Sequence, residues 1–296
     1  MDVSVIIVSY NTYQLTVECI HSVIKYTQYI EYEILVIDNN SSDGSSEKIK
    51  QRFPEVTVIQ NKKNIGFGQA NNLGVLNSRG KYVFFFNSDA YLTDNALKAF
   101  FDFMEQAENA RVACCGGALF QANGLPQISY GNFPSLLEAV SDLGFYRFYK
   151  KYFQQHISSG VINYSNQVRE VDYISGADMF IRRTALDIVG LFDKDFFLYF
   201  EETELSIRFK RAGFLSIFLP HVKIIHLEGA SIKPGIDFNY AKLEQFAKSR
   251  VLFFRKCYGT NQARLMKFLY CWHTIILFIL NRRGDLKKTM RIIANA

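Results

Sequence analysis

The stretch from Lys81 to Leu92, KYVFFFNSDAYL, leaves few choices of fold. Tyr82, Val83, Phe84, Phe85 and Phe86 form an apolar run with no polar residue on either face. Such a run fits a strand covered on both sides, as in a parallel sheet layered between helices. It stops abruptly at Asn87-Ser88-Asp89. In an open α/β sheet the carboxyl ends of central strands are where ligands sit, and a carboxylate there can hold a divalent cation. Taken alone, Asn-Ser-Asp is ordinary loop chemistry, with Asp94 or Asn95 capping the next helix. Other polar strand ends give it weight.

Val3 to Tyr10 is a β-branched run that ends in Tyr10-Asn11-Thr12. Leu15, Cys19, Ile20, Val23 and Ile24 then recur at helical spacing. Glu33 to Ile37 is a second buried run, closed by Asp38-Asn39-Asn40-Ser41-Ser42-Asp43-Gly44, and Ser45 or Ser46 is placed to cap a helix running to Phe53. Val56 to Gln60 is a third strand, and the Tyr82 run is the fourth. Strands alternating with helices predict a parallel, doubly wound half-sheet. Gly66, Gly68 and Gly74 lack the spacing of a dinucleotide fingerprint. Asn71-Asn72 sits inside a helical stretch where asparagine is a poor choice, so it either serves a site or bonds a neighbouring loop.

Further on, Asn95 to Ala107 reads as an amphipathic helix and Val112 to Leu119 as a strand. The segment 121–166 is rich in Tyr and Phe and predicts one helix between Ser135 and Tyr152. A segment of that length between sheet elements suits a lid or an acceptor-binding region, or a packed excursion. Val171 to Ser175 and Met179 to Arg182 read as strands flanking Gly176-Ala177-Asp178. An acidic, aromatic stretch, LFDKDFFLYFEETEL from Leu191, leads into a helix that Gly213 ends. Ser216 to Leu219 and Val222 to Ile225 read as two late strands, the second ending at His226. Beyond a boundary near Pro234-Gly235 the chain reads as wholly helical.

The 296 residues are 49% hydrophobic and 21% charged, which predicts a large core and excludes disorder. Five cysteines in no paired spacing argue against a disulfide framework or a zinc site and suit a reducing compartment. The first residues enter a strand at once, so no signal peptide is expected. The net charge is +6, but nine of the 34 bases and one of the 28 acids lie between Arg255 and Arg291, leaving −2 for the rest. Basicity is thus a property of the tail; no nucleic-acid partner is expected.

VSVIIVSYN, IDNNSSDGS, NIGFGQANNLG, FFFNSDAYL, ISGADMFIRR, GLFDKDFFLYFEETELSIRFKRAGF and IIHLEGAS follow one another between Val3 and Ser231. In that order they resemble the inverting glycosyltransferases of family 2, which have the GT-A fold, and within them the bacterial rhamnosyltransferase-like branch. The resemblance implies a GT-A-like, mostly parallel α/β sheet flanked by helices over residues 1–235. A nucleotide-sugar half would span about 1–120 and an acceptor half about 121–235. Residues 236–296 would form a C-terminal helical extension suited to membrane association. Tyr10, Asn11 and Asp38 would hold base and ribose, with Asp38 accepting a base N–H, and Asn40, Asn64, Gly66 and Asn72 would line the nucleotide pocket. Asn87-Ser88-Asp89 matches the DxD-type motif, with Asp89 on a Mg²⁺ or Mn²⁺ and His226 completing the metal shell. Gly176 and Ala177 would lie beneath the donor sugar. Glu201-Glu202 matches the family's Glu-Asp pair, whose second member is the catalytic base, and a helix N-terminus there would favour its ionised form.

Two positions depart from the family pattern: Asn87 stands where the motif's first carboxylate belongs, and Glu202 where aspartate is usual. They leave open whether Glu201 or Glu202 is the base, and keep alive a non-catalytic nucleotide-sugar or glycan-binding domain. A sugar-nucleotidyltransferase shares the plan but should carry a glycine-rich basic loop where this chain has SYNTYQL. The implied donor is dTDP-rhamnose or a UDP-sugar and the acceptor a glycan or a lipid-linked glycan. Leu265 to Leu280, with Tyr270, Trp272 and basic flanks including Arg282 and Arg283, is too short to span a bilayer. It predicts a cytoplasmic enzyme held peripherally on the anionic inner face of the cytoplasmic membrane, or alternatively a core or dimer helix.

Overall fold

The structure, a computed structural model, describes residues 1–162, 166–227, 239–281 and 285–296. The expected boundary at Pro234-Gly235 lies outside them, as do the last residues of the IIHLEGAS motif and Arg282 and Arg283.

Strand β1 (Val3–Ser9), helix α1 (Tyr13–Tyr26), β2 (Tyr32–Asp38), α2 (Ser45–Arg52), β3 (Thr57–Gln60), α3 (Phe67–Leu76) and β4 (Tyr82–Asn87) form the wound half. The strands lie side by side in the order β3-β2-β1-β4, all parallel. All five residues of the Tyr82–Phe86 run are no more than 1% exposed, because alternate side chains enter two different cores. Phe84 and Phe86 join Val5, Ile7 and Ile20 on the α1 side; Val83 and Phe85 join Ile6 and Ala70 on the α3 side. A strand packed on both faces has no room for alternation, and the uninterrupted apolar run is its sequence trace.

After β5 (Ala90–Leu92), α4 (Ala96–Glu105) and β6 (Val112–Phe120), the chain makes β7 (Ile128–Gly131), α5 (Leu136–Ser141), α6 (Lys150–His156), β8 (Val161–Ile162), β9 (Arg169–Val171), β10 (Tyr173–Ile174), β11 (Asp178–Arg182) and α7 (Arg183–Val189). The single helix expected between Ser135 and Tyr152 is thus two short ones, separated by Gly144 at φ 118°. Strands β10, β7 and β8 form a small second sheet. In the large sheet β11 runs antiparallel between β4 and β6, so the second half is mixed.

Helix α8 (Glu201–Arg211) leads to β12 (Leu215–His226). The two late strands read from the sequence are this one strand. It pairs with β6 along its length, and its register slips between Leu219 and Lys223, where Pro220 has no N–H to offer. Helices α9 (Tyr240–Tyr258), α10 (Thr260–Asn281) and α11 (Leu286–Asn295) close the chain. Phe253, Phe254 and Cys257 of α9 and Ala263 and Met266 of α10 form a third core with Phe196 and Ile207.

Candidate active site

Register decides what meets at the sheet's edge. Ser9 pairs with Asp38 and Val8 with Asn87, so the polar ends of β1, β2 and β4 lie level. Because β11 is antiparallel, it is its beginning that arrives there: Asp178 pairs with Phe86, and the Asn87 N–H donates to the Ala177 carbonyl at 3.1 Å. Strand β12 is parallel to β6 and delivers its last residue, His226, opposite Ala90. Two adjoining cavities open along this edge. One, of about 270 Å³, is lined by Tyr10, Asn39, Asn64, Gly66, Asn87, Ser88 and Asp89 among others. The second, of about 350 Å³, is lined by Gly176, Ala177, Gln127, Glu201, Glu202 and His226. Phe67, Asn87 and Leu198 belong to both walls.

Asp89 immediately precedes β5, whose pairing with β12 sets His226 beside it. The Asp89 carboxylate lies 3.4 Å from His226 Nε2. Gln127 donates from its amide to the His226 carbonyl at 3.0 Å, which turns its own oxygen toward Nδ1 at 3.1 Å. Nδ1 thus faces the Gln127 oxygen, and Nε2 faces the carboxylate, with the Asn87 amide nitrogen 3.4 Å away. An imidazole nitrogen and a carboxylate oxygen turned toward one another suit a divalent cation. Among the described residues no group of three His, Cys, Asp or Glu is placed for a metal.

Glu201 and Glu202 open α8. Glu201 is 3% exposed and its Oε2 has no partner. Burial pushes its carboxyl well up, and the neighbouring Glu202 charge pushes it further. Burial also raises Glu202, outweighing hydrogen bonds from its own N–H and from Thr203 that favour the charged form. The helix N-terminus does favour the ionised form of Glu202, through the N–H groups of Glu202 and Thr203, but desolvation is the larger effect. Glu202 is the more accessible of the two.

The approach to this pair is strained. Tyr199 and Phe200 sit at φ 72° and 69°, in the left-handed region that side chains with a Cβ avoid. Each such residue stores roughly 1–3 kcal/mol, so the turn persists only where its surroundings hold it. Helix α3 holds the upstream part. Asn72 donates to the Phe192 carbonyl at 2.8 Å and accepts the Phe192 N–H at 3.0 Å. Gln69 donates to the Lys194 carbonyl at 3.1 Å, and the Phe67 N–H to that of Phe197 at 2.9 Å. Gly66, at φ 86°, lets the two backbones touch; a Cβ there would meet Phe197 Cα at 2.9 Å and collide with its carbonyl oxygen.

Most of the residues singled out from sequence line the two cavities: Tyr10, Asn64, Gly66, Asn87, Ser88 and Asp89 the first, Gly176, Ala177, Glu201, Glu202 and His226 the second. Asn72 does not; it is the loop-bonding asparagine of the two alternatives. Asn11 and Asn40, exposed and at φ 56° and 69°, lie in the loops after β1 and β2 and outside both cavity walls, and Asn11 accepts the Ser42 N–H at 2.8 Å. Asp38 is fully buried, with Oδ2 accepting the Ser41 N–H at 3.2 Å and Oδ1 without a partner. Sequence reasoning passed over Asn39, which donates to Asn64 and accepts from Asn61 and the Ile65 N–H, tying two loops into one wall. It also passed over Gln127 and Leu198, whose roles depend on contacts distant in sequence. For Asn39 a signal existed, since it follows Asp38 in the same polar cluster.

Residues 4–126 match the family model Glycosyl transferase family 2. An N-acetylglucosaminyl-diphospho-decaprenol L-rhamnosyltransferase of Mycobacterium tuberculosis is 26% identical over 210 residues, 65% of this chain and 66% of that protein, just under two thirds of its length. In three dimensions the chain is similar to GalNAc-T7, solved with UDP, GalNAc and Mn²⁺ (TM-score 0.62, 17% identity, 100% of this chain and 54% of that one). It is also similar to the mannosyltransferase PcManGT of Pyrobaculum calidifontis, solved with GDP-Man and Mn²⁺ (TM-score 0.58, 15% identity, 99% and 79%). The fold is GT-A-like.

Proposed function

From a chain that resembles the family 2 glycosyltransferases, and the rhamnosyltransferases among them, we propose an enzyme that moves a sugar from a nucleoside diphosphate to an acceptor hydroxyl, with inversion. The observation that carries this reading is the pairing of two adjoining cavities, one walled by Asp89 and the other by Glu201, Glu202 and His226, with Asn87 in both walls. A donor lying across both would present its diphosphate to Asp89 and its anomeric carbon to the second cavity. Glu202 takes the proton of the acceptor hydroxyl as that oxygen attacks the anomeric carbon; the bond to the diphosphate breaks and its electron pair leaves with the phosphate. For Asp38 to accept a base N–H, its partnerless Oδ1 would have to be uncovered, since the residue is fully buried and outside both cavity walls. Tyr10, 49% exposed, offers a ring at the mouth of the first cavity.

Asp89 and His226 would hold a Mg²⁺ or Mn²⁺, which supplies charge neutralisation for the leaving diphosphate when bound. With one carboxylate and one imidazole, metal affinity would be modest and the cation would come with the nucleotide. Support comes from the solved neighbours, which contain Mn²⁺ with UDP or GDP-Man. The donor proposed is dTDP-rhamnose or a UDP-sugar, and the acceptor a glycan or a lipid-linked one, in keeping with the mycobacterial relative's diphospho-decaprenol acceptor. The catalytic domain would cover residues 1–235, and the helices beyond it would rest on the inner face of the cytoplasmic membrane.

The test is transfer of labelled sugar from a panel of dTDP-, UDP- and GDP-sugars, by wild type and Asp89→Ala, with and without EDTA. We expect one donor to be consumed with inversion at the anomeric carbon, and turnover to vanish in EDTA and in a folded Asp89→Ala. Turnover unchanged by excess EDTA would remove the metal from the reading. Donor binding without sugar release would favour the non-catalytic alternative.

A further inference from the structure

We propose that α9 is the positioning element of the catalytic turn, acting through Ser249, an inference that rests on the transfer reading above. One stripe of α9 meets the loop that precedes Glu201. Ser249, 2% exposed, donates its hydroxyl to the Leu198 carbonyl at 2.7 Å. Gln245, one turn earlier, donates to the Ser249 hydroxyl at 3.3 Å and reaches the same carbonyl at 3.5 Å. The rings of Phe246 and Phe253 lie 5.2 and 5.5 Å from that of Phe200, and Phe246 lies 5.8 Å from Tyr199. Lys256 pairs with Asp193 and Asp195 at 2.7 and 2.6 Å. These positions recur at helical spacing, so one face of α9 follows the loop from end to end.

The contacts fall where the backbone is least able to hold itself. Leu198 walls both cavities, and the two residues after it are the left-handed pair. Released, Tyr199 and Phe200 would relax toward ordinary backbone angles. Glu201 and Glu202 follow directly and would turn with them. The hydrogen bonds from α3 end at Phe197, and beyond it α3 touches the turn only where Gly68 packs against Glu201, so the Leu198 carbonyl is fixed by Ser249 and the rings by the two phenylalanines. Ser249 is in neither cavity wall, so its part is to hold another residue in place.

The test compares wild type with Ser249→Ala, Ser249→Thr and Gln245→Met in the full chain. Turnover, donor KM, affinity for the free nucleotide, thermal unfolding and the pH dependence of kcat are read for each. Misplacing a reacting group by an ångström can cost on the order of a hundredfold in rate. For loss of one tie we expect Ser249→Ala to lower kcat roughly tenfold or more, with nucleotide affinity within about twofold. Its acid limb should move down as Glu202 gains water. Ser249→Thr, which keeps the hydroxyl, should recover most of the rate, and the partly exposed Gln245→Met should shift kcat the same way by less. A Ser249→Ala enzyme with wild-type kcat and pH profile overturns the proposal. So does a loss that tracks the fraction unfolded and that threonine does not restore. An inactive wild type instead overturns the transfer reading, and this proposal with it.

Discussion

The two adjacent glutamates separate by environment. Both line the second cavity, but Glu201 is the more deeply buried and has an unpartnered oxygen, while Glu202 is more accessible and draws on hydrogen bonds from its own N–H and from Thr203. With both groups raised, the acid limb of kcat should lie above the ordinary glutamate value of about 4.3. Glu202→Gln should lower kcat by on the order of a hundredfold or more, with nucleotide binding retained, whereas Glu201→Gln should stay within a few-fold near neutral pH. If Glu201→Gln is the inactive variant, the base is one residue earlier. Stability gives a second check. A carboxyl whose folded pKa is raised stabilises the protein fully below its unfolded pKa and loses that stabilisation as pH rises through the folded one. Removing Glu201's charge should therefore raise Tm more at pH 8 than at pH 5. The resemblance singled out the second of the pair, but the residues themselves look alike in sequence; what separates them physically is depth.

At the scale of elements, the polar strand ends could be read because an apolar run followed by small polar residues is a local signal. Asn72 could be noticed but not assigned, because its partner, the Phe192 backbone, lies 120 residues away. Structure shows Gly66 to Asn72 of the NIGFGQANNLG segment holding the loop before Glu201 at Phe192, Lys194 and Phe197. Gly66→Ala tests the grip, with Gly124→Ala as comparison. Gly124 has a similar φ of 80° but nothing within 4 Å of where a Cβ would stand, so alanine there meets backbone strain alone, about 1–2 kcal/mol. Gly66→Ala meets the same strain and a collision with the Phe197 backbone. It should lose clearly more stability in a denaturant titration and weaken nucleotide binding, since Gly66 walls the first cavity. Equal losses in the two variants would mean that the close approach holds nothing in place.

Over the whole molecule, the C-terminal helices face two ways, which hydropathy alone does not reveal. Ala263, Met266 and Leu269 of α10 are buried, while Leu265, Phe268, Trp272 and Ile279 form an outward stripe, 47%, 58%, 48% and 68% exposed. Among the described residues no helix is long and apolar enough to cross a membrane. An outward apolar stripe with an indole at its centre, in a chain whose α11 also exposes the bases Lys287, Lys288 and Arg291, suits a helix lying in the headgroup region. Bases near an anionic leaflet contribute about 1 kcal/mol each, so attachment should be reversible and salt-sensitive. Deleting α10 would uncover the core it shares with Phe253 and Phe254, so surface substitutions test the idea better than truncation. The full chain should float with anionic vesicles at low salt, much less with neutral ones, and detach as salt rises. Phe268→Ser with Trp272→Ser, both at exposed positions, should fold normally and stay behind. If wild type remains in the soluble fraction with anionic vesicles, or the double variant floats equally well, this face does not meet a membrane, and the covered-helix alternative of a second protein copy becomes the better account.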